Sequence, residues 1–343
     1  MNRRIPSVVA PLVGATLLAI GLGVASPAAA ASPVQRIGGA DRYEVSAAIS
    51  ADTFTGMDPV PIAYVVSGEV FADALSASAL AGLRGGPVLL TTKTSVPGVI
   101  KTELSRIDPV KIVVLGGPAT IDDAVLQDLR RFSPTVTRIG GADRFEVSSG
   151  AARDYYSATV PRPAVGTAFV AAGANFPDAL SGSAAAGHLN GPVLLTRKEQ
   201  VPASVLTELK DEKPGQVRVL GGTSSVDDSV VSAITSGVSM NTSRVSGTDR
   251  FAVSAKVSET SFSTTTKGTV YIASGEVFPD ALSGGAAAIV KESPVLLVTR
   301  TSIPGVIADE LQRLKPTKIV VLGGENTIDE TVVAQLGGYI VAP

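Results

Sequence analysis

The sequence predicts an α/β protein of three tandem modules, each with a mostly parallel sheet. Two observations carry this. One set of ordered motifs occurs three times, and within each copy apolar β-rich runs alternate with helix-like segments, the pattern of strands joined by helical crossovers. The motif Asp recurs at Asp73, Asp178 and Asp280, spaced 105 and 102 residues, and the same two offsets carry Pro87 to Pro192 to Pro294 and Gly116 to Gly221 to Gly323. Repeats of about 20–50 residues mark solenoids. A period near a hundred marks whole domains.

The elements of the first repeat follow in order. "VQRIGG" begins a short strand. "DRYEVSAAISADTF" is a helix, with Asp41 as N-cap and Glu44 at capping-box spacing. "PIAYVVSG" is a β-rich apolar run, and "FADALSASALAGL" a small-residue helix. "GPVLLTT" and "VKIVVLGG" are continuous apolar strands of the kind buried on both faces. Between them "SVPGVIKTELSRI" is a helix with Pro97 near its start, where a missing N–H costs little. "TIDDAVLQDLRRF" is the last helix. Crossovers of this kind are right-handed. The repeats run over about 34–136, 137–242 and 243–343, with no Pro/Ser-rich linker between them, so they are expected to pack together. They account for almost all of the sequence after residue 31, leaving no segment for a separate catalytic domain.

Residues 1–31 read as a secretory signal peptide. Arg3 and Arg4 precede an apolar stretch, Val8–Val24, and an alanine-rich end. Cleavage near Ala30 or Ala31 is expected, and with it a secreted product. The formal net charge of the whole chain is −2, and losing the two leader arginines makes the remainder more acidic. That argues against nucleic acid as a partner, which calls for a basic face. With no cysteine, neither disulfides nor thiol chemistry is available. Stability must come from the core, and at 45% hydrophobic residues the chain has the material for one.

In open parallel sheets, ligands bind beyond the carboxyl ends of the strands. Several repeated features fall there. "RIGGADRYEVS", "RIGGADRFEVS" and "RVSGTDRFAVS" place Arg36, Asp41 and Arg42, then Arg138, Asp143 and Arg144, then Arg244, Asp249 and Arg250. The aspartates suit N-caps. Capping is not the whole reason for the motif, because the box glutamates Glu44 and Glu146 give way to Ala252 while the Asp-Arg pair stays. A cation at a helix N-terminus opposes the dipole. Arg42, Arg144 and Arg250 therefore need a partner, and two are open: a carboxylate within the fold, or a bound anion. Asp73, Asp178 and Asp280 sit in a first helical turn, which favours a structural role. Ser76, Ser181 and Ser283 follow in the same helix, where they could meet hydroxyls of a sugar. The acidic pairs Asp122/Asp123, Asp227/Asp228 and Asp329/Glu330 read as caps of the last helix rather than as a cation site.

Catalysis has little support. The lone His188 has Leu83 and Val290 at matched positions. Neither a Ser-His-Asp set nor a metal cluster is evident, and the Gly pairs fit neither the G-x-G-x-x-G nor the P-loop pattern. No catalytic residue, metal or cofactor is expected.

The ordered set R-x-x-G-x-D-R-[YF], F-x-D-A-L-S, P-V-L-L and V-L-G-G, present three times from Val34 onward, resembles the cell wall binding repeat 2 family of Gram-positive bacteria. That resemblance implies Toprim-like or Rossmann-like modules packed about a pseudo-threefold axis. It implies non-covalent attachment to an anionic wall polymer, teichoic-acid-like or another secondary wall polysaccharide. It points to the P-x-L-L segments, Pro87–Leu90, Pro192–Leu195 and Pro294–Leu297, although their apolar run reads as a buried strand. Wall hydrolases or surface-layer proteins are the implied partners. On these grounds Arg36, Arg42, Arg138, Arg144, Arg244 and Arg250 are the expected anion contacts. The rival readings are an accessory or enhancer of a peptidoglycan amidase, and a structural surface-layer component.

Overall fold

Each repeat folds in the expected order. The computed structural model describes residues 33–70, 73–158, 163–263, 268–277 and 279–342. The first repeat gives β1 (Val34–Ile37), α1 (Arg42–Thr53), β2 (Ala63–Ser67), α2 (Ala77–Leu83), β3 (Val88–Thr91), α3 (Gly98–Ile107), β4 (Lys111–Leu115) and α4 (Asp123–Leu129). The second gives β5 (Thr135–Ile139), α5 (Arg144–Ala158), β6 (Thr167–Ala172), α6 (Pro177–His188), β7 (Val193–Thr196), α7 (Ala203–Glu212), β8 (Gln216–Leu220) and α8 (Asp228–Val238). The third gives β9 (Thr242–Val245), α9 (Arg250–Ser261), β10 (Thr269–Ser274), α10 (Pro279–Val290), β11 (Val295–Val298), α11 (Gly305–Leu314), β12 (Lys318–Leu322) and α12 (Glu330–Leu336). A 3₁₀ turn, Ala74–Ser76, precedes α2, so the first small-residue helix is split where the other two are continuous. The expected signal peptide lies outside the described residues, as do Phe71, Ala72 and Phe278 of the F-x-D motifs. Among the described residues no helix is long and apolar enough to cross a membrane.

Side chains alternate across each strand, and both faces of each sheet are covered. In the first sheet Tyr64, Val66, Leu90, Val113 and Leu115 join one core cluster, with α2 and Val45 of α1. Ala63, Val65, Leu89, Ile112 and Val114 face the other, filled by Ile100 and Leu104 of α3 and Val125 and Leu129 of α4. The P-V-L-L strands β3, β7 and β11 are buried throughout, as their unbroken apolar runs imply. One large aromatic fills the middle strand of each module: Tyr64, Phe169 and Tyr271, each almost fully buried.

The sheets are offset from the sequence repeats. Strand orders are β3-β2-β4-β5, β7-β6-β8-β9 and β11-β10-β12-β1, and every pairing is parallel. The strand that opens each repeat thus completes the sheet of the repeat before it. The first strand completes the last: Val34 pairs with Ile319 and Ile37 with Leu322. The repeats are therefore not self-contained domains. They form a closed ring of three sheets, and the residues from 33 onward form one compact unit. The helix after each opening strand follows it, so α1 contacts α10, α5 contacts α2 and α9 contacts α6. The three small-residue helices α2, α6 and α10 all touch one another at the centre. This is the pseudo-threefold arrangement.

Candidate functional site

Each sheet changes winding direction between its two middle strands, β2 and β4, β6 and β8, or β10 and β12. The crevice beyond their carboxyl ends is the place such sheets hold ligands. In this protein the next repeat's Asp-Arg motif closes that crevice from the other side. Three related clefts result, one per seam. The first is lined by Val70, Asp73, Thr120 and Gly141–Arg144. The second is lined by Asn175, Asp178, Ser225 and Gly247–Arg250. The third is lined by Val277, Asp280, Thr327 and Gly39–Arg42, which brings the two ends of the ring together.

A buried carboxylate sits at the floor of each cleft. Asp73, Asp178 and Asp280 are 7, 6 and 9% exposed. Each packs against the first glycine of V-L-G-G, which has φ of +118° at Gly116, +94° at Gly221 and +105° at Gly323. A Cβ at these glycines would lie 2.9, 2.5 and 2.4 Å from the carboxylate. Both backbone and space therefore demand glycine. Burial raises the pKa of all three aspartates. Asp178 is pushed furthest, to about 6, with Arg250 pulling it the other way. Thr120 donates to Asp73 at 3.4 Å and Thr327 to Asp280 at 3.2 Å. These bonds oppose the rise there, and Asp178 has no equivalent.

The two arginines of each motif have different fates. Arg36, Arg138 and Arg244 were expected to hold a polymer, but the protein itself occupies them. Arg36 donates to Gly323 O and Ile328 O at 2.8 Å each, and to Glu330 at 2.9 Å. Arg138 donates to Gly116 O, to Ile121 O at 2.8 Å and to Asp123 at 3.1 Å. Arg244 donates to Gly221 O and Asp228 at 2.8 Å each. The opening strand of each repeat is thus pinned to the V-L-G-G loop of the sheet it completes. Arg42, Arg144 and Arg250 donate to Gly68 O, Gly173 O and Gly275 O of their own repeats. Their charge still acts across the seam, lowering the pKa of Asp280, Asp73 and Asp178 respectively. A carboxylate of the preceding module is therefore an electrostatic partner of each, and each arginine also lines its cleft.

Asp41, Asp143 and Asp249 cap their helices. Each accepts from the second and third backbone N–H beyond it, at 2.8–3.0 Å. Glu44 and Glu146 reach back to Ala40 N and Ala142 N at 2.8 Å, one residue before the cap. The serines do not fit a sugar-contacting role. Ser76, Ser181 and Ser283 are only 1–2% exposed. Ser76 and Ser181 donate back to carbonyls of their own turn, Asp73 O and Asp178 O, at 3.2 Å. Asp122, Asp227 and Asp329 hold the N-cap positions of the last helices and Asp123, Asp228 and Glu330 charge their first turns, as the sequence suggested, and the latter three are also the seam partners of Arg138, Arg244 and Arg36. The sequence signal for this was present: each acid keeps a fixed offset from V-L-G-G, as each arginine does from D-R. The hydroxyls of Thr120 and Thr327 were missed because a Thr after a turn reads as capping.

His188 stacks on Phe262, with centroids 4.6 Å apart, and so serves packing. Among the described residues no three His, Asp or Glu side chains group as a metal ion would need.

Comparison with known proteins places this geometry. The chain is 24% identical over 328 residues to the N-acetylmuramoyl-L-alanine amidase LytC of Bacillus subtilis (strain 168), covering 95% of this chain and 62% of that protein. It is 28% identical over 269 residues to the amidase enhancer of the same organism, covering 78% of this chain and 35% of that protein. The chain therefore spans less than two thirds of either relative. Among solved structures, Cwp6 from Clostridium difficile superposes with a TM-score of 0.81 at 25% identity, covering 91% of this chain and 48% of that one. Cwp8 from the same organism gives 0.77 at 24%, covering 90% and 52%, a likeness of fold. The family profile described as cell wall binding domain 2 (CWB2) matches residues 36–126, 138–231 and 244–333. Each match begins at or next to the strand that crosses to the neighbouring sheet, and the chain belongs to the cell wall binding domain 2 family.

Proposed function

We propose that the three repeats, 34–136, 137–242 and 243–343, anchor the chain non-covalently to an anionic wall polymer, teichoic-acid-like or another secondary wall polysaccharide. They do so without catalysis of their own. The observation that carries this reading is the threefold recurrence of one cleft, each lined by an arginine and by the N-terminus of a long helix. A repeating polymer can engage several such clefts at once. Linked weak sites raise avidity by orders of magnitude without any new contact. The chain's mild net negative charge is outweighed locally by Arg42, Arg144 and Arg250 and by the helix ends beside them. Export through a signal peptide cleaved near Ala30 or Ala31 would deliver the protein to the wall.

The test is sedimentation with purified cell walls, intact and stripped of secondary polymers. Anchoring predicts that stripping abolishes co-sedimentation. Unchanged binding to stripped walls would sink it.

A second reading, an accessory to a wall amidase, is favoured by the similarity to an amidase and an amidase enhancer. It predicts that adding the protein speeds wall lysis by an amidase. Lysis at the same rate with and without it speaks against that role. Self-assembly into lattices without polymer would instead favour a surface-layer component.

A further inference from the structure

We propose that the cleft between the second and third repeats is a saccharide subsite unlike the other two, where Asp178 and Asn175 receive hydroxyl or amide donors of a neutral sugar. This deepens the anchoring reading and rests on it for the source of the sugar, a wall glycan. The site itself stands on differences among three otherwise matching clefts.

The first difference is at the rim. Val70 and Val277, 44% and 46% exposed, border the first and third clefts. The matched residue in the second is Asn175. The neighbouring Ala119 is matched by Ser224 in the second cleft and Asn326 in the third, and Ala142 and Ala40 are matched by Thr248. At the positions of Asn175 and Thr248 the middle cleft therefore offers an amide and a hydroxyl where both others offer methyl groups, while at the position of Ser224 only the first cleft has a methyl. It is also the smallest of the three, 120 Å³ against 170 and 310 Å³.

The second difference is at the floor. Thr120 and Thr327 each give a hydrogen bond to the buried carboxylate of their cleft. Ser225 stands in their place but turns its hydroxyl toward Gly221, where Thr120 turns its methyl toward Gly116. Among the described residues no hydrogen bond reaches the carboxylate of Asp178, although the residue is only 6% exposed. A buried carboxylate without a donor costs free energy that a ligand O–H or N–H can recover. A phosphate would instead meet that carboxylate as a like charge. The acceptor-lined floor selects a donor-rich neutral ring, with Arg250 at the edge left to the anionic part of the polymer.

The test is two-dimensional amide NMR on the full chain, titrated separately with N-acetylglucosamine, glycerol 3-phosphate and calcium. The proposal expects N-acetylglucosamine to shift the amides of Asn175, Ser224 and Thr248 while those of Val70 and Val277 stay in place. Asn175→Val and Ser225→Thr install what the other clefts carry, and each should weaken the response about fivefold, the value of one hydrogen bond to a charged or polar partner. The converse pair, Val70→Asn with Thr120→Ser, should create a response in the first cleft. Equal shifts in all three clefts, no shift with sugar, or shifts at Asn175 with glycerol phosphate or calcium alone would overturn the proposal. Wall sedimentation is read separately. Loss of binding to stripped walls with no sugar response leaves anchoring standing and removes this subsite. A sugar response with no wall binding does the reverse.

Discussion

Arg36 Nε donates to Glu330 Oε1 at 2.9 Å across 294 positions of sequence, so the start of the folded chain is tied to its end. The Arg138–Asp123 and Arg244–Asp228 pairs repeat that tie at the other two seams. Each accompanies a parallel strand pairing, so no module can leave the ring without breaking a sheet ladder. Each opening strand covers the outer edge of β4, β8 or β12 and becomes the edge strand of that sheet itself.

The ion pair is the smaller part of this tie. At the first seam the side chain of Asp123 is 77% exposed and that of Arg138 only 15%. An exposed carboxylate adds little to an ion pair. The guanidinium also satisfies two carbonyls, at Gly116 and Ile121, that would otherwise lose their donor. Asp123→Ala is therefore expected to cost under about 1 kcal/mol, and Arg138→Ala about 2–4 kcal/mol. Urea denaturation of both variants checks this. Equal costs would show that the ion pair, not the carbonyls, carries the seam.

The centre of the ring is asymmetric in a testable way. Gly82, Gly187 and Ile289 occupy matched positions, and the single isoleucine fills the space that two glycines leave. A Cβ at Gly82 would lie 2.6 Å from Ile289, and one at Gly187 only 2.4 Å. Gly→Ala within a helix normally stabilises by about 0.5–1 kcal/mol. Here overpacking wins, and Gly187→Ala, whose Cβ would meet Cδ1, Cγ1 and Cγ2 of Ile289 at 2.4–2.9 Å, is expected to destabilise by about 1–3 kcal/mol. In an Ile289→Ala background the same change should turn neutral or stabilising. A double-mutant cycle on thermal melts measures that reversal. Simple additivity would refute the packing account.

Much of this fold was legible in the sequence because its strands are unbroken apolar runs and its helices carry caps. Asp41, Val88–Thr91 and the glycine of V-L-G-G each state a local requirement that the structure meets. The crossing of β1 into the last sheet was not legible. Strand pairing is a long-range choice, and "VQRI" reads the same whichever sheet it joins. The fate of the arginines was hidden for the same reason, since Arg36 and Arg42 differ only in what the neighbouring module presents to them. Ser76, Ser181 and Ser283 were misread because a serine in a small-residue helix can face solvent or bond back to its own turn, and only burial decides.

Asp178 gives the seam a pH dependence. Its folded-state pKa of about 6 lies above the ordinary carboxylate value, so the folded protein binds its proton more tightly than the unfolded chain does. Its stabilising contribution is complete below about pH 4 and is lost as pH rises toward 6. Asp178→Asn removes the charged form. It should raise stability on the order of 2 kcal/mol at pH 7 and leave it unchanged near pH 4. Thermal melts at the two pH values distinguish this from a general effect. A gain of the same size at both would mean that charge is not the cause.

The second module carries a repairable defect. Glu103 and Glu310 are buried, and each is held by an arginine three residues on, Arg106 or Arg313, through two contacts of 2.6–2.8 Å. The matched pair in the second repeat is Glu208 and Asp211, so the arginine is missing. Arg153 of α5 supplies one contact instead, at 3.0 Å, and burial pushes the Glu208 carboxyl up to about 7. A carboxyl raised this far loses its contribution as pH climbs from about 4.3 to 7. Asp211→Arg rebuilds the two-contact pair, favours the ionised form and should add about 1 kcal/mol at pH 8, with little gain near pH 4. The substitution should also make Arg153→Ala harmless, since Glu208 would no longer depend on it. Melting temperatures of the two single variants and the double variant at pH 8 provide the measurement. If Arg153→Ala costs as much with Arg at 211 as without it, the new side chain has not reached Glu208, and the neighbouring acid Glu212, which also raises the Glu208 pKa, becomes the better target for repair.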